Sequence, residues 1–248
     1  MDQLKKIRYL VPSSLTALSV YFAYMAFLSN SVVDGCWYLL LCVVMDKLDG
    51  SSARLLKATS QFGLKFDSFA DAIAFGILPG IILFNSSSLM PVSSHWVLFF
   101  KGSGFVYVIA TFARLYKFDR LASQGSGDES FFGIPSTLAA AIFASYGVAF
   151  GPYFSQVDKI YLIQAMPLIA LFLAILMNGT FPTLKVGIPE KKSLQLLQTV
   201  SFIFCFIAIP TRQYGILLFC IAIVVLFITI FFGRKKHGKK RLECVNNN

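Results

Sequence analysis

Apolar residues run through this chain in long stretches separated by short polar breaks. A bilayer-crossing helix needs about 20 predominantly apolar residues. Eight stretches approach or reach that length, at roughly 10–29, 34–54, 67–84, 95–114, 136–151, 160–178, 194–210 and 214–232. The fifth is the shortest and contains glycine. The first is too long for the core of a signal peptide and is expected to remain as a span. Turn-forming residues mark the breaks. Asn30-Ser31 and Asp34-Gly35 close one short connection, and NSSSLMPVSSH closes another. The longest polar connection is expected from about Lys117 to Gly133, around QGSGDES, and Pro182 and Pro189 interrupt the chain after the sixth stretch. No inverted internal repeat of the transporter kind is visible. The expectation is an all-α integral membrane protein with about eight transmembrane helices.

Composition supports that class. The 248 residues are 56% hydrophobic and only 14% charged, with mean hydropathy +0.70, whereas soluble domains carry roughly 25% charge. Lys and Arg number 22 against 12 Asp and Glu. Their placement points to a membrane rather than to nucleic acid. With both termini on the cytoplasmic side, that side collects Lys5, Lys6, Arg8, Arg54, Lys57, Lys65, Arg114, Lys117, Arg120, Lys185, Lys191 and Lys192. It also receives the RKKHGKKR run from Arg234 to Arg241. The other side keeps Lys101, Lys159 and Arg212. This is the positive-inside pattern, and the basic tail is suited to anionic membrane lipids. The five cysteines form no CxxC pair, and His95 and His237 stand far apart, so no zinc site is expected.

Against this apolar background one segment stands out: MDKLDGSSARLLKATSQFGLKFDSFADAIAFG. It holds Asp46, Asp49, Asp67 and Asp71, with Gly50, Ala53, Arg54 and Gly63 between them. One charged side chain at the centre of a bilayer costs about 2.5–3.5 kcal/mol on insertion scales. Four need compensation, and two divalent cations would cancel all four charges. On a helix, with Asp46 at the origin, Asp49 falls at about −60°, Gly50 at about +40°, Ala53 at about −20° and Arg54 at about +80°. The first two carboxylates therefore share a face with very small side chains. Gly63, Asp67 and Asp71 follow at i, i+4, with Ala70 and Ala74 beside them. Two such faces can approach closely, which would bring the four carboxylates together.

Hard cations such as Mg²⁺ or Mn²⁺ favour carboxylate oxygen and are commonly shared with substrate phosphates. Paired metals stabilise both the entering and the leaving oxygen of a phosphoryl displacement. The glycines would let a headgroup reach the backbone, Arg54 could pair with a phosphate, and Asp71 could take a proton from an attacking hydroxyl. Chained acids also mark ion and proton pathways. A transport relay, however, needs neither an adjacent arginine nor room for a headgroup.

Written as a pattern, the segment is D-x2-D-G-x2-A-R-x8-G-x3-D-x3-D, which resembles the signature of the CDP-alcohol phosphotransferases. The resemblance implies a six-helix membrane core, a homodimer, and an active site at the cytoplasmic face. It also implies two divalent cations (Mg²⁺ or Mn²⁺) and transfer of a phosphatidyl group from a CDP-linked lipid to an alcohol with release of CMP. By position, Asp46, Asp49, Asp67 and Asp71 would hold metal, Asp71 would also act as base, and Gly50, Ala53, Arg54 and Gly63 would contact CDP. FDSFADAIAFGILPG is similar to a pattern of the membrane-spanning phosphatidylserine synthases. ARLYKFD and FFGIPSTLAA agree with that subfamily more loosely. It implies CDP-diacylglycerol and L-serine as substrates, with direct attack of the serine hydroxyl. Lys117, Asp119 and Thr137 depart from the subfamily pattern near the expected acceptor region, where Arg114 or Lys117 could hold the serine carboxylate. Other alcohols, such as glycerol phosphate, inositol phosphate or choline, stay open as acceptors. The expected organisation is a catalytic core over 1–185, two further spans over 186–233 and a basic cytoplasmic tail over 234–248. A bacterial inner membrane is the expected location.

Overall fold

The computed structural model describes residues 2–29, 31–56, 61–90, 95–123, 131–183, 204–209 and 211–246. Helix α1 (Asp2–Leu28) and helix α2 (Val32–Leu55) pack along one another. The face of α1 that does so is built from small residues, with Thr16, Ser19, Ala23 and Ala26 all buried at i, i+3 and i+4 spacing. There the Cys42 thiol of α2 donates to the Ser19 carbonyl at 3.3 Å. Ser31 starts α2 by accepting the Asp34 backbone N–H at 3.3 Å, an N-cap contact.

Helix α3 (Gln61–Asp71), a π turn (Ala72–Ile77), helix α4 (Leu78–Ser86) and a 3-10 turn (Ser87–Leu89) form one continuous rod. Pro79 explains the π turn. It has no N–H to give to the carbonyl four residues back and its ring crowds that group, so the helix widens just before it. The Leu78 N–H accordingly reaches back five residues to the Ile73 carbonyl. Helix α5 (His95–Ser123) crosses α4 at a glycine pair. A Cβ on Gly104 would stand 2.9 Å from the Gly80 carbonyl oxygen, and one on Gly80 would stand 2.6 Å from Val108.

Helix α6 (Ser136–Phe150) is the centre of the bundle. It contacts α2, α4, α7 (Ile160–Asn178) and α8 (Gly215–Asn246), and nearly every residue in it is buried. A helix surrounded on all sides needs no polar face, which explains why it reads as a short, uniformly apolar stretch. Among the described residues, β structure is limited to Phe131–Phe132 paired antiparallel with Pro182–Thr183. This pairing ties the entry of α6 to the exit of α7. Gly133 N–H donates to the Phe181 carbonyl and Ile134 N–H to the Leu176 carbonyl, both at 3.1 Å. The Thr183 hydroxyl donates to the Gly133 carbonyl at 2.7 Å.

By length and composition four described segments are apolar enough to cross a membrane: Val11–Leu28, Lys65–Leu89, His95–Phe118 and Val157–Asn178. The expected stretches at 34–54, 136–151 and 214–232 are also helical. Two of them fall short of a span for a physical reason: helix α2 carries Asp34, Asp46, Lys47, Asp49 and Arg54, and α6 has 15 residues. The third lies in α8, where Gly215–Phe231 is apolar. The stretch at 194–210 lies outside the described residues apart from the helical 204–209. The connection expected from Lys117 is shorter than read, because KFDRLAS contains no helix breaker and α5 continues to Ser123. The run from Arg234 to Arg241 continues α8 as helix. At the opposite end of α2 from its aspartate pair, Asp34 forms an ion pair with Arg212.

Gly133 has φ +72°, and a Cβ there would lie 2.2 Å from the Met177 carbonyl oxygen. Gly133→Ala is therefore expected to destabilise the protein by about 1–3 kcal/mol or more. The change would register as a lower melting temperature in detergent; an unchanged one would contradict this turn geometry.

Candidate active site

The C-terminal half of α2 and the length of α3 supply the acidic residues. Ligand oxygens of Asp46, Asp49 and Asp67 all lie within 4.8 Å of one another. α2 and α3 therefore bring together carboxylates that are eighteen or more residues apart in sequence, but the group within this distance holds three of the four expected acids, and Asp71 is not one of them. Ala70 and Ala74 are buried, and Gly50, Ala53 and Gly63 are half-buried. Asp71 closes α3 immediately before the π turn and interacts electrostatically with Asp46, Asp67 and Asp49. Arg54 lies on α2, one turn beyond Gly50. All eight positions of the motif are thus on two adjacent helices.

Each carboxylate has its own surroundings. Asp49 is the most enclosed, at 4% exposure, and its Oδ2 accepts a hydrogen bond from the Thr16 hydroxyl of α1 at 2.8 Å. Asp46 Oδ2 lies 3.5 Å from Lys47 Nζ, whose side chain is about half-buried. Among the described residues this is the one grouping of three or more His, Cys, Asp or Glu side chains with ligand atoms so close. Its donors are all hard oxygens, with no thiolate or imidazole. That set fits Mg²⁺ or Mn²⁺ and not a zinc centre.

Arg114 brings positive charge to the same region from α5. It is 7% exposed, its Nη1 donates to the Ser136 hydroxyl at 3.0 Å, and its guanidinium sits 4.7 Å from the centre of the Phe118 ring. Its Nε is buried with no hydrogen-bond partner among the described residues, and its charge acts on Asp71. Lys117, the other candidate for an acceptor carboxylate, is exposed; the side chain of Asp119 lies outside the description. Two residues of the site were not read from the sequence. Thr16 is separated from Asp49 by a chain reversal and bears no spacing relation to it. Ser136 is the partner of Arg114, and the only signal for it was its place in FFGIPSTLAA.

The fold and the clustered acids define a membrane protein built around a group of three close carboxylates. The CDP-alcohol phosphatidyltransferase family model matches residues 9–177, and this chain belongs to that family. A CDP-diacylglycerol–serine O-phosphatidyltransferase of Helicobacter pylori is 34% identical over 137 residues, covering 54% of this chain and 55% of that protein. One of the same name from Mycobacterium bovis is 30% identical over 139 residues, covering 53% and 46%. An archaetidylserine synthase of Methanothermobacter thermautotrophicus is 29% identical over 136 residues, covering 54% of each. The chain spans about half the length of these curated relatives.

Ser136→Ala removes the hydrogen-bond acceptor that the buried Arg114 guanidinium has among the described residues. The expected cost is about 1–3 kcal/mol of stability, read as a lower melting temperature. Ser136→Thr, which keeps a hydroxyl, should recover most of it, and equal melting of the alanine variant and the parent would contradict the contact.

Proposed function

We propose that this protein transfers the phosphatidyl group of CDP-diacylglycerol to L-serine, giving phosphatidylserine and CMP. The observation that carries the reading is the convergence of Asp46, Asp49 and Asp67 within 4.8 Å, with Asp71 alongside. In this reading Asp46, Asp49, Asp67 and Asp71 hold two divalent cations (Mg²⁺ or Mn²⁺), which when bound supply charge neutralisation to the pyrophosphate. Gly50, Ala53 and Gly63 leave room for the CDP moiety against the helix backbones, and Arg54 pairs with its phosphate.

The serine hydroxyl attacks the phosphorus that carries diacylglycerol. Asp71 accepts the hydroxyl proton, a new phosphorus–oxygen bond to serine forms, and the bond to the bridging oxygen of CMP breaks. Arg114 receives the serine carboxylate: a buried guanidinium whose Nε has no partner among the described residues is suited to an incoming anion. The names of the relatives support serine, and Lys117, Asp119 and Thr137 make the acceptor the point to test. The catalytic core would occupy 1–185, with 186–233 and the basic tail 234–248 as additions. We place the active site and both termini at the cytoplasmic face of a bacterial inner membrane, on the positive-inside pattern, with the protein as a homodimer and its tail against anionic lipids.

The test is CMP release by purified protein with CDP-diacylglycerol and Mn²⁺ or Mg²⁺, offering serine, glycerol 3-phosphate, inositol, inositol phosphate and choline separately. CMP with serine alone is expected. CMP with a different alcohol would overturn the acceptor, and no CMP with any of them would favour an acid-lined transporter. Asp71→Asn is expected to lower turnover by at least about 10²-fold while weakening CDP-diacylglycerol binding much less. Turnover like the parent's would remove Asp71 from the chemistry.

A further inference from the structure

Asp49 is the most enclosed carboxylate of the cluster, and the hydrogen bond it accepts comes from a third helix. Thr16 is itself 4% exposed, and its hydroxyl is 2.8 Å from Asp49 Oδ2 and 3.1 Å from the Pro12 carbonyl of its own helix. A hydroxyl has one proton, so it can donate to only one of these oxygens at a time. The shorter distance is to Asp49, and a bond to an ionised carboxylate is roughly twice as strong as one between neutral groups. The Ser14 hydroxyl, two residues away, behaves differently: it is exposed and donates to the Val11 carbonyl of its own helix.

We infer that Thr16 is a positioning residue for the cation site, holding Oδ2 of Asp49 from α1 so that the carboxylate keeps one orientation toward Asp46 and Asp67. The inference rests on the reading above, in which Asp49 binds a cation. Buried at this depth, Asp49 has no bulk water to orient it, and a fixed donor takes that part. The same bond would cost a cation little, because the other oxygen of the carboxylate is left to coordinate. Hydrogen-bond partners of metal ligands commonly change affinity by about 10–100-fold when removed. The α1 helix, which lies outside the aspartate motif, thereby becomes part of the site.

The experiment is Mn²⁺ titration of the purified full chain after chelation, following the electron paramagnetic resonance signal of free Mn²⁺, beside the melting temperature of the metal-free protein. Thr16→Val, nearly identical in shape, is expected to weaken Mn²⁺ binding by about 10–100-fold. Thr16→Ser should bind almost as the parent does, and Ser14→Ala should be unchanged. If Thr16→Val does not fold, Thr16→Ala takes its place in the comparison with Thr16→Ser. Parent-like Mn²⁺ binding by the valine or alanine variant, with only melting lowered, would reduce Thr16 to a packing contact and overturn the inference while leaving the cation site standing. Equal weakening in Thr16→Ser and Thr16→Val would also overturn it, since the hydroxyl would then not be what matters. A parent protein with no saturable Mn²⁺ binding would overturn the cation reading of the aspartates, and this inference with it.

Discussion

Like charges brought together out of water repel, and in this protein that repulsion is concentrated between two helices. At an effective dielectric of 20, two unit charges at 4.8 Å repel by about 3.5 kcal/mol. Asp46, Asp49 and Asp67 lie within that distance of each other, so three ionised carboxylates would approach the whole folding stability of a typical domain, about 5–15 kcal/mol. Asp71 adds to the same field. In the proposed function, divalent cations shared with a pyrophosphate would turn this repulsion into attraction. The surroundings are consistent with that use: Thr16 donates to one acid, Lys47 lies beside another, and Arg114 acts on a third.

The remainder of the bundle serves close approach. Small residues on α1 let it pack along α2, and α1 also contacts α3. The π turn before Pro79 shifts the helical register between the acidic part of this rod, before it, and Gly80, after it. Buried α6 fills the centre, and its first turn supplies Ser136, which holds Arg114. The Gly133 turn anchors that first turn to the end of α7. The polar site and the apolar core are therefore one construction, and the stability of one bears on the geometry of the other.

Local spacing carried the chemistry in the sequence. Asp46 with Asp49, and Asp67 with Asp71, declare their faces through the helical repeat alone, and Gly50, Ala53 and Ala70 declare that these faces can touch. Contacts that depend on the fold were not legible. Nothing along the chain relates Thr16 to Asp49, or Ser136 to Arg114, until the helices are packed. Arg114 read equally well as an interface anchor, because burial is a property of its neighbours and not of its own flanks. Hydropathy identified the helices but not the way each sits. Helix α2 trades apolar length for charge because it carries the site, and α6 is short because protein rather than lipid surrounds it. The π turn was hidden because proline in an apolar run signals a disruption without saying which kind.

The most direct measurement of the central claim is the anomalous scattering of crystals grown with Mn²⁺ and CDP-diacylglycerol. The expected result is a pair of manganese peaks between α2 and α3, in the space bounded by Asp46, Asp49, Asp67 and Asp71, with the pyrophosphate beside them. Manganese bound elsewhere, or a nucleotide lipid seated away from these aspartates, would contradict it.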